Sequence, residues 1–236
     1  PPILLVVSSI AAAGPVPRGR IRSEHERPSP ISNYGTSKRA GETAAEHFAD
    51  RVPTTIVRPG VVFGPRNRDF FPVFHSVARS RLHLVMGLAP PRISLIHVED
   101  LVEILVRAAV RGERVDPGEK TPGSGRGYYF GVCDEYPDYA RLGKMLKHLL
   151  REDGRGIPFF LPSPLSWLVG GLTQLISALR GTSITVNLDK VREAYAPNWA
   201  CSTKAVSEQL AFEPQADLAS RLLETADWYR QQGWMK

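Results

Sequence analysis

Apolar residues recur along the chain at two spacings, which divide it into strands and helices. Short continuous apolar runs are typical of strands buried in a parallel sheet. Longer stretches in which apolar residues return every three or four positions are typical of helices that bury one face. The predicted strands cover residues 3–9, 54–57, 82–85 and 128–132, with an extended segment at 92–97. The predicted helices cover residues 32–50, 69–80, 101–111, 136–151 and 217–232.

Strands that alternate with helices indicate an α/β protein with a parallel sheet. In helix 32–50 we expect Ala40, Ala44, Ala45 and Phe48 to face the core. Asp100 is expected to cap helix 101–111. We interpret His97 as a structural hydrogen-bonding residue.

The segment 156–179 contains no charged residue, which raises the question of a membrane span. Three prolines interrupt its first part, and we expect Ser163 and Gly181 to cap the two ends of a helix. About 16 helical residues then remain, fewer than the roughly 20 that a bilayer requires. Three interpretations stay open: a lid over a hydrophobic substrate, a homodimer or peripheral membrane surface, and a membrane span.

The composition is that of an ordinary globular protein, with 42% hydrophobic and 23% charged residues. The formal net charge is +6, but the basic residues are scattered. Their densest cluster, from Arg18 to Arg27, is interleaved with Glu24 and Glu26, so we predict no nucleic-acid partner. The two cysteines lack metal-ligand spacing, which predicts free thiols, no metal site and a cytoplasmic protein.

Tyr34 and Lys38 stand four residues apart near the start of helix 32–50, so their side chains share one face. An ammonium group beside a phenol favours the phenolate, which makes the pair a proton donor and acceptor. Ser9 ends the first predicted strand, which could hold its hydroxyl near the phenol. This spacing also occurs by chance on many solvated helices, so the pair alone does not establish a site.

Four landmarks in order along the chain resemble the extended short-chain dehydrogenase/reductase family. That family contains the NAD-dependent epimerases and dehydratases and the 3-beta-hydroxysteroid dehydrogenase-like enzymes. The landmarks are Ser8-Ser9 with Gly14, Pro30 to Lys38 with Gly41-Glu42, Arg58 to Pro65, and His97 to Asp100. The resemblance covers essentially the whole chain.

The resemblance implies the C-terminal part of a Rossmann-like, doubly wound parallel sheet, with a smaller and mostly helical substrate-binding subdomain. It implies a partial NAD(P)-binding domain at 1–112 and a substrate-binding region at 113–236, interleaved with the first. The chain contains no G-x-G-x-x-G phosphate loop. Since the resemblance places residues 3–7 at the strand just before the catalytic tyrosine, we expect the chain to be an N-terminally truncated fragment.

The resemblance also implies residue roles. Tyr34 would exchange a proton with a substrate hydroxyl or carbonyl, while hydride moves to or from the nicotinamide. The implied catalytic residues are Ser9, Tyr34 and Lys38. The implied contacts to NAD or NADP are Tyr34, Lys38, Pro59, Val61 and Val62. The implied contacts to a small-molecule substrate are Ser9, Ala11 and Gly60.

Departures from the family's nucleotide-sugar enzymes favour a less polar substrate. Such enzymes usually have an asparagine where this chain has 60–62, Gly-Val-Val. They also have an arginine that grips the diphosphate where this chain has Ile93, with Arg92 one residue away. We therefore expect an apolar alcohol or ketone. A nucleotide-sugar epimerase, a non-catalytic Rossmann-like protein and a peripheral membrane module remain as alternatives.

Overall fold

The computed structural model describes residues 2–79, 82–87, 89–118, 121–150, 157–180 and 188–235 of the 236-residue chain. In this part of the chain, strands and helices alternate as the apolar pattern predicts. The strands are β1 (Leu4–Val7), β2 (Thr54–Pro59), β3 (Val61–Phe63), β4 (Leu82–Met86), β5 (Leu95–His97), β6 (Tyr128–Gly131) and β7 (Ile157–Leu161). The helices are α1 (Ile10–Ala13), α2 (Asn33–Glu46), α3 (Phe71–Arg79), α4 (Val98–Arg111), α5 (Tyr139–Leu150), α6 (Ser163–Arg180), α7 (Leu188–Ala194), α8 (Lys204–Leu210) and α9 (Leu218–Gln231).

The described strands form small parallel sheets. The first sheet has the order β1-β2-β6, with Val7 opposite Val57 and Pro59 opposite Gly131. Strand β3 pairs with β5, and β4 pairs with β7. Because parallel strands end at the same edge of a sheet, the residues that follow β1, β2 and β6 meet at one edge. Ligands of open α/β sheets bind at that edge.

Strand β1 is shorter and more exposed than the sequence predicts. It ends at Val7, and Ser9 instead precedes helix α1 as its N-cap residue. Leu4 and Val7 are 39% and 47% exposed, because β1 lies at the edge of its sheet among the described strands. The expectation of a fully buried strand over 3–9 is therefore wrong, whereas β2 is buried along its whole length.

Helix α2 turns a different face to the core from the one that its apolar residues predict. Glu42 and Ala45 are buried, whereas Ala40, Ala44 and Phe48 are exposed. Of the four residues expected to face the core, only Ala45 does so. The orientation follows from a charged pair, which places a carboxylate at the centre of the buried face.

That carboxylate belongs to Glu42, which pairs with Arg58 of β2 in the protein interior. The two side chains are 0% and 1% exposed. Arg58 Nε donates to Glu42 Oε1 at 2.8 Å, and Nη2 donates to Oε2 at 2.7 Å and to the Gly123 carbonyl at 2.7 Å. The guanidinium also lies 4.6 Å from the ring centroid of Tyr128. This pair fixes α2, and with it Tyr34, against the sheet.

Helix α4 begins at Val98, three residues before the predicted start. Asp100 therefore lies inside the first turn, where it accepts hydrogen bonds from Arg221 of α9 at 2.5 and 3.3 Å. The prediction that Asp100 caps the helix is wrong. Buried His97 precedes the helix, and neither ring nitrogen has a partner among the described residues. Its ring instead packs edge-on against Phe63, so its predicted hydrogen-bonding role is also wrong.

Helix α6 begins at Ser163, one residue before the start that the predicted Ser163 cap implies. The expected C-cap at Gly181 and the start of the uncharged segment at Gly156 lie outside the described residues. None of the helices in the described ranges is long and apolar enough to cross a membrane.

Glu24 is a buried carboxyl group that should make folding stability depend on pH. It is 5% exposed, and burial raises its pKa from 4.5 to about 7, although one oxygen accepts the Phe130 N–H at 3.3 Å. The folded state then holds a proton between pH 4.5 and 7 that the unfolded state releases. Stability should therefore fall as pH rises through this window, by up to about 3 kcal/mol.

We expect Glu24→Gln to remove most of this loss, so that the variant is more stable than the parent at pH 8. Urea unfolding at intervals from pH 5 to pH 8 measures the effect. Glu26→Gln is the matched control, because Glu26 lies on the same loop and is only partly buried, in a pair with Arg20. Equal pH slopes for the parent and Glu24→Gln would show that Glu24 is not the titrating group.

Candidate active site

Ser9 lies where the chain leaves the sheet after β1. Its backbone is extended, and its Oγ accepts the Ala11 N–H at 3.2 Å as the N-cap of α1. Among the described residues no acceptor for the hydrogen of this hydroxyl is found, so the group can donate to a bound substrate. The cap holds the hydroxyl at the carboxyl edge of the first sheet.

Tyr34 and Lys38 lie on the first turns of α2, which Ser32 caps by accepting the Gly35 N–H at 3.0 Å. A Cβ on Gly35 would sit 2.4 Å from the Ala11 carbonyl oxygen, so only glycine lets α2 approach α1 this closely. That approach brings Tyr34 to the same cavity as Ser9. The Lys38 Nζ lies 5.9 Å from the Tyr34 ring centroid, which places an ammonium beside the phenol.

A cavity of about 740 Å³ joins most of the predicted site residues. Tyr34 is 44% exposed and forms part of its wall. The other predicted residues on the wall are Ser9, Ala11, Gly60, Val61 and Val62. The remaining apolar wall is formed by Ile10, Met86, Pro90, Pro91, Ile93, Tyr139, Ala194 and Trp199. Two predicted site residues, Pro59 and Lys38, are not part of the wall. Pro59 ends β2 directly before Gly60, and Lys38 lies beside the Tyr34 ring.

Gly60 lines the cavity, but glycine is required at this position because neighbouring residues leave no space for a side chain. A Cβ there would lie 2.4 Å from the Ser94 carbonyl oxygen and 3.1 Å from a methyl carbon of Val132. Ile93 also lines the cavity, whereas the backbone of Arg92 forms an isolated antiparallel β-bridge with the backbone of Asp138. The structure thus puts an apolar residue, and not the neighbouring arginine, on the wall.

Asn67 is a polar wall residue that the sequence reasoning missed. Its amide nitrogen donates to the Val62 carbonyl at 2.9 Å, and its amide oxygen accepts the Phe70 N–H at 2.8 Å. Both ends of the amide therefore hold the loop between β3 and α3. The sequence places this asparagine five residues beyond Val62, so the motif around 60–62 did not reveal it.

Helix α7 adds a group of charges that no local pattern predicted. Asp189, Lys190 and Glu193 line the cavity, about 155 residues after Tyr34 in sequence. With Asp69, they give the wall three carboxylates and one ammonium. A pattern within α7 could not indicate this placement, because it depends on contact between distant parts of the chain.

A separate charged cluster lies between α4 and α9. One potential ligand atom from each of His97, Glu99 and Glu224 lies within 4.8 Å of the others. Arg221 Nη1 donates to Glu99 at 3.0 Å and to Glu224 at 2.9 Å. Arg221 also pairs with Asp100, so one guanidinium bridges three carboxylates, and we interpret the cluster as an ion-pair network.

Residues 2–121 match the family model described as the NAD dependent epimerase/dehydratase family. The chain belongs to this family. The match confirms the family that the sequence landmarks predicted, and it covers the part of the chain that holds Ser9, Tyr34 and Lys38. The family's description gives NAD as the cofactor and epimerases and dehydratases as the members. The roles of the individual site residues stay predictions.

Two curated relatives extend the comparison. A ceramide reductase of Caulobacter vibrioides is 29% identical over 231 residues, which cover 98% of this chain and 63% of that protein. An N-acetyl-alpha-D-glucosaminyl-diphospho-ditrans,octacis-undecaprenol 4-epimerase of Escherichia coli O157:H7 is 25% identical over 184 residues, or 75% of this chain and 51% of the relative. The chain thus spans between half and two thirds of the length of these relatives.

Solved structures support the Rossmann-type α/β fold. The chain matches UDP-glucose 4-epimerase of Thermotoga maritima, solved with UDP-glucose, with a TM-score of 0.70 and 18% identity over 97% of this chain and 63% of that one. It matches dTDP-glucose 4,6-dehydratase of Bacillus anthracis, solved with NAD, with a TM-score of 0.70 and 13% identity over 99% of this chain and 63% of that one. The predicted fold class is confirmed.

Proposed function

We propose that this chain carries the catalytic part of an NAD- or NADP-dependent oxidoreductase that interconverts a hydroxyl and a carbonyl group on a lipid-borne substrate. The observation that carries the proposal is the shared cavity of Ser9 and Tyr34, whose wall is otherwise mainly apolar. A cavity of this kind suits a substrate with a small polar reacting group and an apolar body.

The residues present fit the nicotinamide end of the cofactor. Tyr34 and Lys38 offer a phenol and an ammonium for the ribose, and Val61 and Val62 offer an apolar surface for the ring. Pro59 is buried beneath this surface at the end of β2 and is not part of the wall. NAD(P)H, when bound, supplies the hydride for the carbonyl carbon or accepts it back.

The chain's own groups handle the oxygen and its proton. In reduction, the Tyr34 hydroxyl gives its proton to the carbonyl oxygen as the carbon receives hydride, so the products are the alcohol and a Tyr34 phenolate. Ser9 donates its free hydrogen to the same oxygen, which stabilises the charge that develops there. Lys38 stabilises the phenolate by its positive charge.

The charges on the wall disfavour a nucleotide diphosphate. Three carboxylates face one ammonium there, and a diphosphate needs cationic partners when it leaves water. The names of both curated relatives contain a lipid, but the undecaprenol of one carries a sugar diphosphate, so only the ceramide of the other supports a head group without a diphosphate. A neutral lipid head group with hydroxyl or amide groups fits this wall better than a sugar nucleotide.

A substrate panel tests the proposal on the natural protein that contains this chain. The panel pairs ceramide analogues that carry a ketone in the long-chain base with UDP- and dTDP-sugars. We expect NAD(P)H oxidation with the lipid ketones, at a kcat/KM at least tenfold above that with any nucleotide sugar. Activity on the nucleotide sugars alone would refute the lipid assignment and favour a nucleotide-sugar epimerase.

We further propose that α6 and the preceding strand rest on an anionic membrane surface. The exposed apolar residues there are Phe159, Leu165, Trp167, Leu168 and Val169, which are 38–58% exposed. The sequence 157–180 contains no acidic residue, and the formal net charge of +6 favours anionic lipid. Helix α6 packs on α7, which lines the cavity, so a lipid substrate would be close to the site.

Vesicle co-sedimentation tests this contact. We expect the parent to sediment with phosphatidylglycerol-containing vesicles, and Leu165→Ser with Leu168→Ser to lower the bound fraction at least fivefold. Val106→Ser with Val110→Ser is the matched control, because these exposed residues lie on α4. Equal binding of both double variants would refute the membrane surface, and loss of a dimer in the α6 variant would instead assign this surface to a homodimer.

We place the protein in the cytoplasm, where its cysteines would stay reduced. Cys133 and Cys201 are free, and burial raises the pKa of their thiols to about 11 and about 12. Such thiols stay protonated and unreactive at neutral pH.

A further inference from the structure

Helix α7 holds the N-terminus of the helix that carries Tyr34. Asp189 Oδ2 accepts the N–H groups of Asn33 at 2.8 Å and of Tyr34 at 3.3 Å. The first N–H groups of a helix have no partner within the helix, and a negative charge there is stabilising. Asp189 therefore fixes the backbone of Tyr34 from a distant part of the chain.

Glu193 links the cap of α2 to a second ammonium group. Its Oε1 accepts the Ser32 hydroxyl at 2.7 Å, and its Oε2 accepts a hydrogen bond from Lys190 Nζ at 2.9 Å. The Glu193 carbonyl also accepts the Trp199 indole N–H at 2.9 Å. These bonds set the position of Lys190 relative to α2.

Lys190 lies as close to the catalytic phenol as Lys38 does. Its Nζ is 5.6 Å from the Tyr34 ring centroid, compared with 5.9 Å for Lys38. Burial lowers the pKa of Lys190, but its hydrogen bond and attraction to Glu193 outweigh this, and the pKa is raised on balance. The ammonium therefore stays charged at neutral pH.

We propose that Lys190 is a positioning residue for the proton transfer, a second cation that stabilises the Tyr34 phenolate. Asp189 holds the Tyr34 backbone, and Glu193 holds the Lys190 ammonium. The inference rests on the proposed role of Tyr34 as proton donor and acceptor. The charged and titratable groups around the phenol and its cavity are Lys38, Asp69, Tyr139, Asp189, Lys190 and Glu193. Glu193 partly offsets the charge of Lys190, so Lys190 should stabilise the phenolate less than Lys38 does.

The test is the pH profile of alcohol oxidation by the natural protein that contains this chain. In Lys190→Met, we expect the midpoint of the acid limb of kcat/KM to rise by about 0.5–1 pH unit, which lowers the rate at pH 7 about three- to tenfold. The KM for the alcohol should stay within about twofold. Lys190→Arg should restore the parent midpoint, because it keeps the positive charge.

Lys204→Met is the matched control, since Lys204 belongs to an exposed Lys–Glu pair on α8, and its profile should equal that of the parent. An unchanged midpoint in Lys190→Met, or a change in KM alone, would overturn the second-cation role. If the proposed function itself is wrong, Tyr34→Phe should turn over the alcohol as fast as the parent does. If Tyr34→Phe is inactive and Lys190→Met has the parent profile, only the inference about Lys190 fails.

Discussion

Replacing Tyr34 with phenylalanine is expected to lower turnover by about 10²- to 10⁴-fold, while the affinity for NAD(P) stays nearly unchanged. The substitution removes one hydroxyl and keeps the ring, so the packing of α2 against α1 is preserved. Without the Tyr34 hydroxyl, no group next to Ser9 can give the substrate oxygen the proton that turns it into an alcohol. Steady-state kinetics with the lipid ketone, together with cofactor titration by calorimetry, measure the two effects separately.

Tyr195→Phe is the matched control for this experiment. Tyr195 also carries a phenolic hydroxyl, which donates to Ser166 at 2.9 Å at the packing of α7 against α6. Its removal should leave turnover within about threefold of the parent, because the group does not reach the reacting oxygen. Turnover of Tyr34→Phe in that same range would remove Tyr34 from its assigned role.

Replacing Glu42 with glutamine is expected to destabilise the folded chain by about 3–5 kcal/mol. The change leaves the Arg58 guanidinium buried without its counter-charge, and the remaining Gly123 carbonyl cannot balance a full positive charge. Arg39 Nη1, at 3.4 Å from Glu42 Oε2, would add repulsion once the carboxylate is neutral. Urea unfolding gives the free energy of unfolding, and an unchanged m-value would show that the transition is comparable.

Glu208→Gln is the control, because Glu208 also pairs with a basic residue, Lys204, but both side chains are more than 60% exposed. Exposed pairs contribute about 0–1 kcal/mol, so this variant should be nearly as stable as the parent. A loss below about 1 kcal/mol for Glu42→Gln would contradict the view that the buried pair anchors α2.

Local patterns predicted the elements of this fold but not all of their faces. The apolar runs located β2 and β6, and the helix predicted over 217–232 agrees with α9 to within one residue at each end. The inner face of α2 was wrong because hydrophobicity ranks Ala44 above Glu42. Only the pairing of Glu42 with Arg58, which lies on strand β2, makes a buried carboxylate favourable at this position of α2.

The candidate site shows the same division between local and distant information. Tyr34 and Lys38 could be identified because they lie within one motif on one helix. Asp189 and Lys190 could not, since their approach to α2 depends on how the C-terminal part of the chain packs. The expectation of a less polar substrate rested on the missing asparagine and the displaced Arg92, and it did not consider Lys190, which lies on the wall among three carboxylates.

The most direct test of the central claim follows a label through the reaction. The natural protein that contains this chain is incubated with a ceramide ketone and NAD(P)H that carries deuterium at the transferred C4 position, and the lipid product is analysed by mass spectrometry. We predict one deuterium on the new carbinol carbon with the parent, and none above background with Tyr34→Phe. Absence of label in the lipid with the parent, or equal labelling by both proteins, would contradict the assignment of this cavity as the active site of a lipid oxidoreductase.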